Sequence, residues 1–409
     1  MAQKLTSLPT LVQSPFIIAT LGGVTFGSYT DGTYAGKVTY PNFMKSMNIV
    51  KVNGTVNTYT LNLEYQVRPG EDPNLLDKIL SRATSDRRIT LQYGDWNAPA
   101  YIYKEEIAII TNVTTELDMN ASMIRYTIEA TSDAIGLTSS TFNFPADNAQ
   151  PSDKILSLLS KQKYGLKQVF TGMTDKNTIL SKHLIASNDK KVKLLAQNNV
   201  TVLQYLNYLV SCMMPSNTVN EADKQNSTYY LTIHDDLDKS VGGTYFKVTE
   251  VTRDTKMIKS TDTYEVDVNF PSDNFVTQFS VNNNQSWAIL YNFSEQIKQE
   301  EYSYQVLDDG SLATIYTPSL IKSPTTNTVS PSLSSWWSKM TQFPIEATLT
   351  IKGLTRASML MTYVKVNVLF AGGVKHISSG VYIITKQVDE INASGYKTTL
   401  SLLRVGEDF

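Results

Sequence analysis

At 409 residues the chain is longer than one hydrophobic core organises, which predicts roughly two to four units. Its 36 Lys plus Arg stand against 38 Asp plus Glu, so bulk charge draws it to neither nucleic acid nor anionic lipid. With 41% apolar and 18% charged residues, 23 Tyr and abundant Thr and Asn, the composition is that of a globular protein leaning to half-buried strands.

The opening segment, MAQKLTSLPTLVQSPF, lacks the continuous apolar stretch of a signal peptide, and no apolar run approaches membrane-spanning length. A soluble protein made in the cytoplasm is expected. Residues 47 to 67 alternate, with Tyr59, Leu61, Leu63, Tyr65 and Val67 on one face, and Asn53-Gly54 predicts a tight hairpin turn before them. Asp72 as cap, Pro73 at the first helical position and the stripe Leu75, Leu76, Ile79, Leu80, Ala83 predict one amphipathic helix. ITLQYGD, YIYKEEIAIITNV and SMIRYTIEATS continue as strands, so the first 135 or so residues form an α+β unit.

From Pro151 the pattern becomes helical: SDKILSLLSKQ is a short capped helix and TVLQYLNYLVSCMM a longer one capped by Thr201. The single cysteine, Cys212, sits at the end of that helix among Leu209, Val210 and Met213 and is expected as a packed thiol. YYLTIHDD and YFKVTEVTR alternate across a Gly242-Gly243 loop, and TYEVDVNF follows as a strand. Residues 308 to 344, rich in Ser, Thr and Pro, predict a long excursion loop, with Trp336 and Trp337 docking it on something.

Two segments resemble one another. IITNVTTELDMNASMIRYTIEA (Ile109 to Ala130) and IITKQVDEINASGYKTTLSLL (Ile383 to Leu403) share IIT and NAS. Counted from the shared Asn, the alternating positions are Ile124, Tyr126, Ile128, Ala130 and Tyr396, Thr398, Leu400, Leu402, with Arg125 matching Lys397, Asp118 matching Glu390 and Met119 matching Ile391. Upstream, Phe43, Met47 and Ile49 correspond to Phe275, Phe279 and Val281, and ITLQYGD to VNVLFAGG. The competing explanation is convergence of two hairpins of like composition. Duplication predicts two similar antiparallel β-domains separated by an insert.

The C-terminal run from Pro344 to Val405, together with SDNFVTQFSVNNNQSWAILYNF, resembles the baseplate hub proteins of contractile-tailed phages, a family related to the N-terminal part of type VI secretion spike proteins. The resemblance implies a predominantly β, α+β chain with two tube-like domains. These would span 1–140 and 270–409, the second carrying loop 308–344, and would flank a mixed helical insert (141–219) and a small β domain (220–269). It also implies a homotrimeric ring in the virion tail baseplate, assembled in the bacterial host's cytoplasm. Its partners would be tail tube protein, central spike protein and baseplate wedge proteins, with double-stranded DNA passing through. The alternative is a host-surface or carbohydrate-binding tail module using Trp336 and Trp337.

Chemistry is sparse. His183, His234 and His376 lie in separate segments without the spacing of a triad or a zinc motif. His234, Asp235, Asp236 and Asp238 lack the Gly and closing Glu of a calcium loop and are expected as a solvated turn. Glu105-Glu106 and Glu300-Glu301 are adjacent on strands, so each pair faces opposite sides; a glycosidase pair is excluded and a solvated edge expected. Gly22-Gly23 and Gly372-Gly373 have no following helix and are expected as turns, and Trp96 and Trp287 as core or interface residues. No catalytic, cofactor or metal residue is expected, and no enzyme activity.

Overall fold

The computed structural model describes residues 4–5, 15–21, 24–28, 43–67, 69–70, 72, 74, 77–78, 80, 87–95, 104–118, 120, 122–159, 191–213, 227–235, 244–252, 262–268, 275–283, 302–306, 312–316, 345–353 and 359–407. The chain is predominantly β within an α+β fold. The first half supplies β1 (Lys4–Leu5), β2 (Pro15–Leu21), β3 (Val24–Ser28), β4 (Met44–Val52), β5 (Thr58–Gln66), β6 (Arg88–Asp95), β7 (Lys104–Asp118) and β8 (Met123–Ser132). An insert follows with β9 (Thr141–Phe144), β10 (Asp147–Ala149), α1 (Pro151–Leu159), β11 (Val192–Leu194), β12 (Gln197–Thr201), α2 (Val202–Ser211), β13 (Ser227–His234) and β14 (Tyr245–Thr252). The second half supplies β15 (Asp262–Asp267), β16 (Val276–Asn283), β17 (Tyr302–Val306), β18 (Leu312–Tyr316), β19 (Ile345–Lys352), β20 (Tyr363–Leu369), β21 (Gly380–Asn392) and β22 (Gly395–Glu407).

The two halves repeat one strand order. In the first, neighbours run β4, β5, β8, β7, β6, β2; in the second they run β16, β19, β22, β21, β20, β15. The halves differ at the last step, where β2 lies antiparallel to β6 and β15 parallel to β20. The shared IIT marks a β-bulge in both. Ile110 opposes Ala130 and Asn112 opposes Glu129, leaving Thr111 extra; Ile384 opposes Leu402 and Lys386 opposes Ser401, leaving Thr385 extra. Each extra threonine donates its hydroxyl across the ladder, Thr111 to the Glu129 carbonyl (3.1 Å) and Thr385 to that of Ser401 (3.3 Å). Upstream, β4 bulges between Met44 and Ser46 and β16 between Val276 and Gln278, matching Phe43 with Phe275 and Met47 with Phe279.

The register adjusts two correspondences. Through their pairing with Ile109 and Ile383, Arg88 matches Tyr363, so ITLQYGD aligns with the segment of β20 from Val364 onward, two residues before VNVLFAGG. The first hairpin closes Asp118 on Met123 and the second Asn392 on Gly395, a turn shorter by two residues. Glu116 and Leu117, rather than Asp118 and Met119, are therefore the counterparts of Glu390 and Ile391. A two-residue step returns each side chain to the same face, so the alternation stayed in phase.

Four apolar clusters follow from these elements, the smallest joining Val251, Met361, Ile383 and Val405. Of the others, one joins the first half and includes Ile391 and Tyr396 of the second; another fills the second half; the third packs α1 and α2 against β13 and β14. Helix α2 is capped as expected, the Thr201 hydroxyl accepting from Gln204 N–H (3.2 Å) and the Gln204 side chain accepting from Thr201 N–H (2.8 Å). Cys212 is buried at its end. The predicted helix after Asp72 falls mostly outside the described residues; of those described, Asp77, Lys78 and Leu80 are helical.

Two expectations change. The β4–β5 hairpin forms, but not through a two-residue type I′ connection: Asn53-Gly54 sit in a turn closed by Thr55 N–H on the Val52 carbonyl (3.3 Å), only Gly54 has positive φ (72°), and the strands last pair at Val50 and Thr58. There the Gly54 N–H donates to the Leu231 carbonyl (2.7 Å) and Asn207 donates to the Gly54 carbonyl (2.7 Å), so the loop is shaped by docking on the insert. Residues 308–344 are not loop throughout, because β18 pairs antiparallel with β17 as a hairpin.

Candidate functional site at the strand seam

The halves meet edge to edge. Before its bulge β21 pairs with β20; beyond it, the same strand pairs antiparallel with β4, from Lys386 opposite Val52 to Ile391 opposite Met47. Ile391 is fully buried against the first half's core.

Behind this seam lies a buried polar cluster. Lys51 of β4 is ion-paired with Glu106 of β7, both essentially without solvent contact. Tyr59 and Tyr93 donate to the two Glu106 oxygens at 2.9 and 3.0 Å. The Tyr59 hydroxyl also lies 3.0 Å from Asp235 Oδ2, which accepts from Asn57 (2.7 Å), while Asp235 Oδ1 accepts from Ser132 (2.6 Å) and Thr244 (2.8 Å). On the other side, Asp389 of β21 accepts from Thr398 (2.6 Å), Tyr396 (3.1 Å) and Gln387 (2.7 Å). The cluster thus ties first half, insert and second half through groups that cannot be left unpaired in a dry interior.

Burial raises the Asp235 carboxyl to about 6, against the pull of its Ser132, Asn57 and Thr244 donors and with help from the Glu106 charge. Asp389 is raised by the same burial, opposed by Lys51. The hydroxyls of Tyr59, Tyr93 and Tyr396 are held well above their ordinary range, first by burial and then by the nearby carboxylates, so they act as donors. Both members of the ion pair are buried, and the arrangement holds three parts of the chain in one geometry.

Two expectations are overturned here. Glu106 is not at a solvated edge: it pairs with Leu91 of β6, the adjacent Ile107 N–H donates to the Asp235 carbonyl (3.0 Å), and the inward face offers Lys51 as partner. His234 and Asp235 do not form a solvated turn. His234 is buried, bonded to Thr232 (2.9 Å) and stacked on Tyr245, and Asp235 is 2% exposed. Gly372 and Gly373 form a turn at positive φ, as expected, and His376 is exposed beside them. Among the described residues no group of three or more His, Cys, Asp or Glu could hold a metal, and no helix is long and apolar enough to cross a membrane. Trp336, Trp337, Trp96, Trp287, His183, Asp236, Asp238, Glu300, Glu301, Gly22 and Gly23 lie outside the described residues. The Lys51–Glu106 pair and the Asp235 and Asp389 sites were not anticipated; the only sequence signal was a charge at an inward-facing strand position.

No family model and no curated protein matches the chain. Among solved structures it is similar to the 43 kDa tail protein of prophage MuSo2 from Shewanella oneidensis (10% identity, TM-score 0.49, covering 95% of this chain and 98% of that one). It is also similar to a tail protein from Neisseria meningitidis MC58 (10% identity, TM-score 0.48, covering 96% and 97%). A third likeness is to an E. coli protein described as a type VI secretion component with structural similarity to T4 tail proteins gp27 and gp5 (8% identity, TM-score 0.44, covering 89% and 74%).

Proposed function

We propose that the chain is a non-enzymatic structural subunit of a phage tail baseplate, a hub ring of three chains that adapts a sixfold tail tube to a threefold spike and encloses the DNA path. The observation that carries this is the repeated strand order, joined edge to edge through β21 and β4: one chain already supplies two similar units of a continuous wall. Three chains would supply six. The units span about 1–140 and 270–409, with 141–219 and 220–269 between them; β13 and β14 of the latter share one apolar core with the helices, while β15 pairs with β20 of the second unit. Exposed Phe370, Val374 and Ile377 near the β20–β21 turn offer an apolar contact to a neighbouring tail component. Tube, spike and wedge proteins are the partners in this reading, and the virion baseplate is its location. Electron microscopy and native mass spectrometry of the purified protein, alone and with tube and spike proteins, test it. A hollow three-chain ring is expected, and monomer under every condition would sink the proposal.

A further inference from the structure

The seam inside the chain has an unfilled counterpart at each end. Aligned on the bulges, Lys386 to Ile391 correspond to Asn112 to Leu117, and Met47 to Lys51 correspond to Phe279 to Asn283. Among the described residues, β7 from Asn112 onward pairs only with β8, and β16 pairs only with β19. Residues 111 to 117 are exposed on both faces, whereas in the matching stretch of β21 buried Gln387, Asp389 and Ile391 alternate with more exposed residues. The side chains show what is missing: Ile391 is 0% exposed while Leu117 is 66%, and Ile49 is 0% while Val281 is 38%. Val113, also exposed, corresponds to the fully buried Gln387. Nor are these edges protected in the usual way. VTQFSVNN of β16 carries no charge and no proline, and NVTTEL of β7 carries one glutamate, whereas solitary edges are normally blocked by such residues.

We infer that the outer segment of β7 pairs antiparallel with β16 of a second copy of this chain, repeating between chains the register that β21 and β4 adopt within one. The pairs are Val113 with Asn283, Thr114 with Asn282, Thr115 with Val281, Glu116 with Ser280 and Leu117 with Phe279. Leu117 and Phe279 then occupy the places of Ile391 and Met47, and Thr115 and Val281 those of Asp389 and Ile49. Where the internal seam is backed by charged Lys51 and Asp389, the corresponding residues of the external one, Asn283 and Thr115, are uncharged, as suits an interface closed only after folding. The contact is head to tail, so it leaves a free β16 and a free β7 at either end until a ring closes. This rests on the ring proposal and specifies its contact.

The test is cysteine cross-linking in the full chain. Thr115→Cys with Val281→Cys should yield disulfide-linked multimers under mild oxidation. Thr114→Cys with Val281→Cys, whose side chains fall on opposite faces, should not. Leu117→Lys, at a position exposed in the single chain, should weaken association about tenfold or more while leaving monomer unfolding unchanged. A closed three-chain oligomer with the in-register cross-link supports both proposals. Cross-linked open chains support the pairing and overturn the closed ring. An oligomer without the cross-link, or with both cysteine pairs equally reactive, overturns the pairing and leaves the ring. A protein that stays monomeric without cross-links near 100 µM overturns both.

Discussion

The Lys51–Glu106 pair shows what a single inward charge demands. Removing one partner leaves the other ionised in a dry interior, so Lys51→Met is expected to destabilise by roughly 3–5 kcal/mol, while Lys51→Met with Glu106→Leu recovers much of the loss. Urea unfolding of the single and double variants measures this. Asp235 gives a pH signature. Its carboxyl titrates near 6 folded against an ordinary 3.8, so the folded state holds the proton more tightly. Stability from this group is greatest below pH 4, falls as pH rises through 6, and stays low above it, a span of roughly 3 kcal/mol. The stability of wild type relative to Asp235→Asn should therefore increase when pH drops from 7 to 4.5, read from unfolding midpoints at each pH; an unchanged difference would refute the assignment. Neither residue was legible as a site in the sequence. Alternation put Glu105 and Glu106 on opposite faces, yet a solvated edge was expected, because the lysine that satisfies Glu106 is 55 residues away in the chain. Only the fold brings them together.

At the scale of elements, the sequence was more informative. Alternation in β5, β8 and β22 and the capping box of α2 are local properties, set by side-chain period and by backbone donors that need acceptors, and they appear where the pattern places them. Thr201→Ala should cost about 1 kcal/mol by loss of the cap, measurable in the same unfolding experiments. The repeated IIT was visible as letters, but its meaning as a bulge was not, because an extra residue is defined only against a partner strand. That meaning makes a sharp prediction. Deleting Thr385 turns Gln387, Asp389 and Ile391 to the wrong face and should abolish folding, as seen by loss of near-UV circular dichroism. Deleting Thr111 inverts a segment exposed on both faces, so the chain should still fold while the contact between chains is lost.

For the whole molecule, the duplicated order of strands could be suspected from two hairpins, yet their joining by β4 and β21 could not, since nothing in either strand names its neighbour across the chain. If free edges are satisfied only by other copies, thermal stability must follow mass action. The unfolding temperature of wild type should rise between 1 and about 100 µM, and that of Leu117→Lys should not. Scanning calorimetry at the two concentrations checks this.

The insert was described above as the partner of the loop at Gly54, and Asn57 of the same loop reaches Asp235 beyond β13. It thus acts as a clasp over the internal seam, and the chain has one insert for two sheet units. Any closed assembly then has reinforced and unreinforced joints in alternation. Strain spreading around its circumference would open it at the boundaries between chains, and six nearly equivalent wall segments would carry only three ornaments. In the proposed ring the clasp would thus help lower the symmetry from six to three.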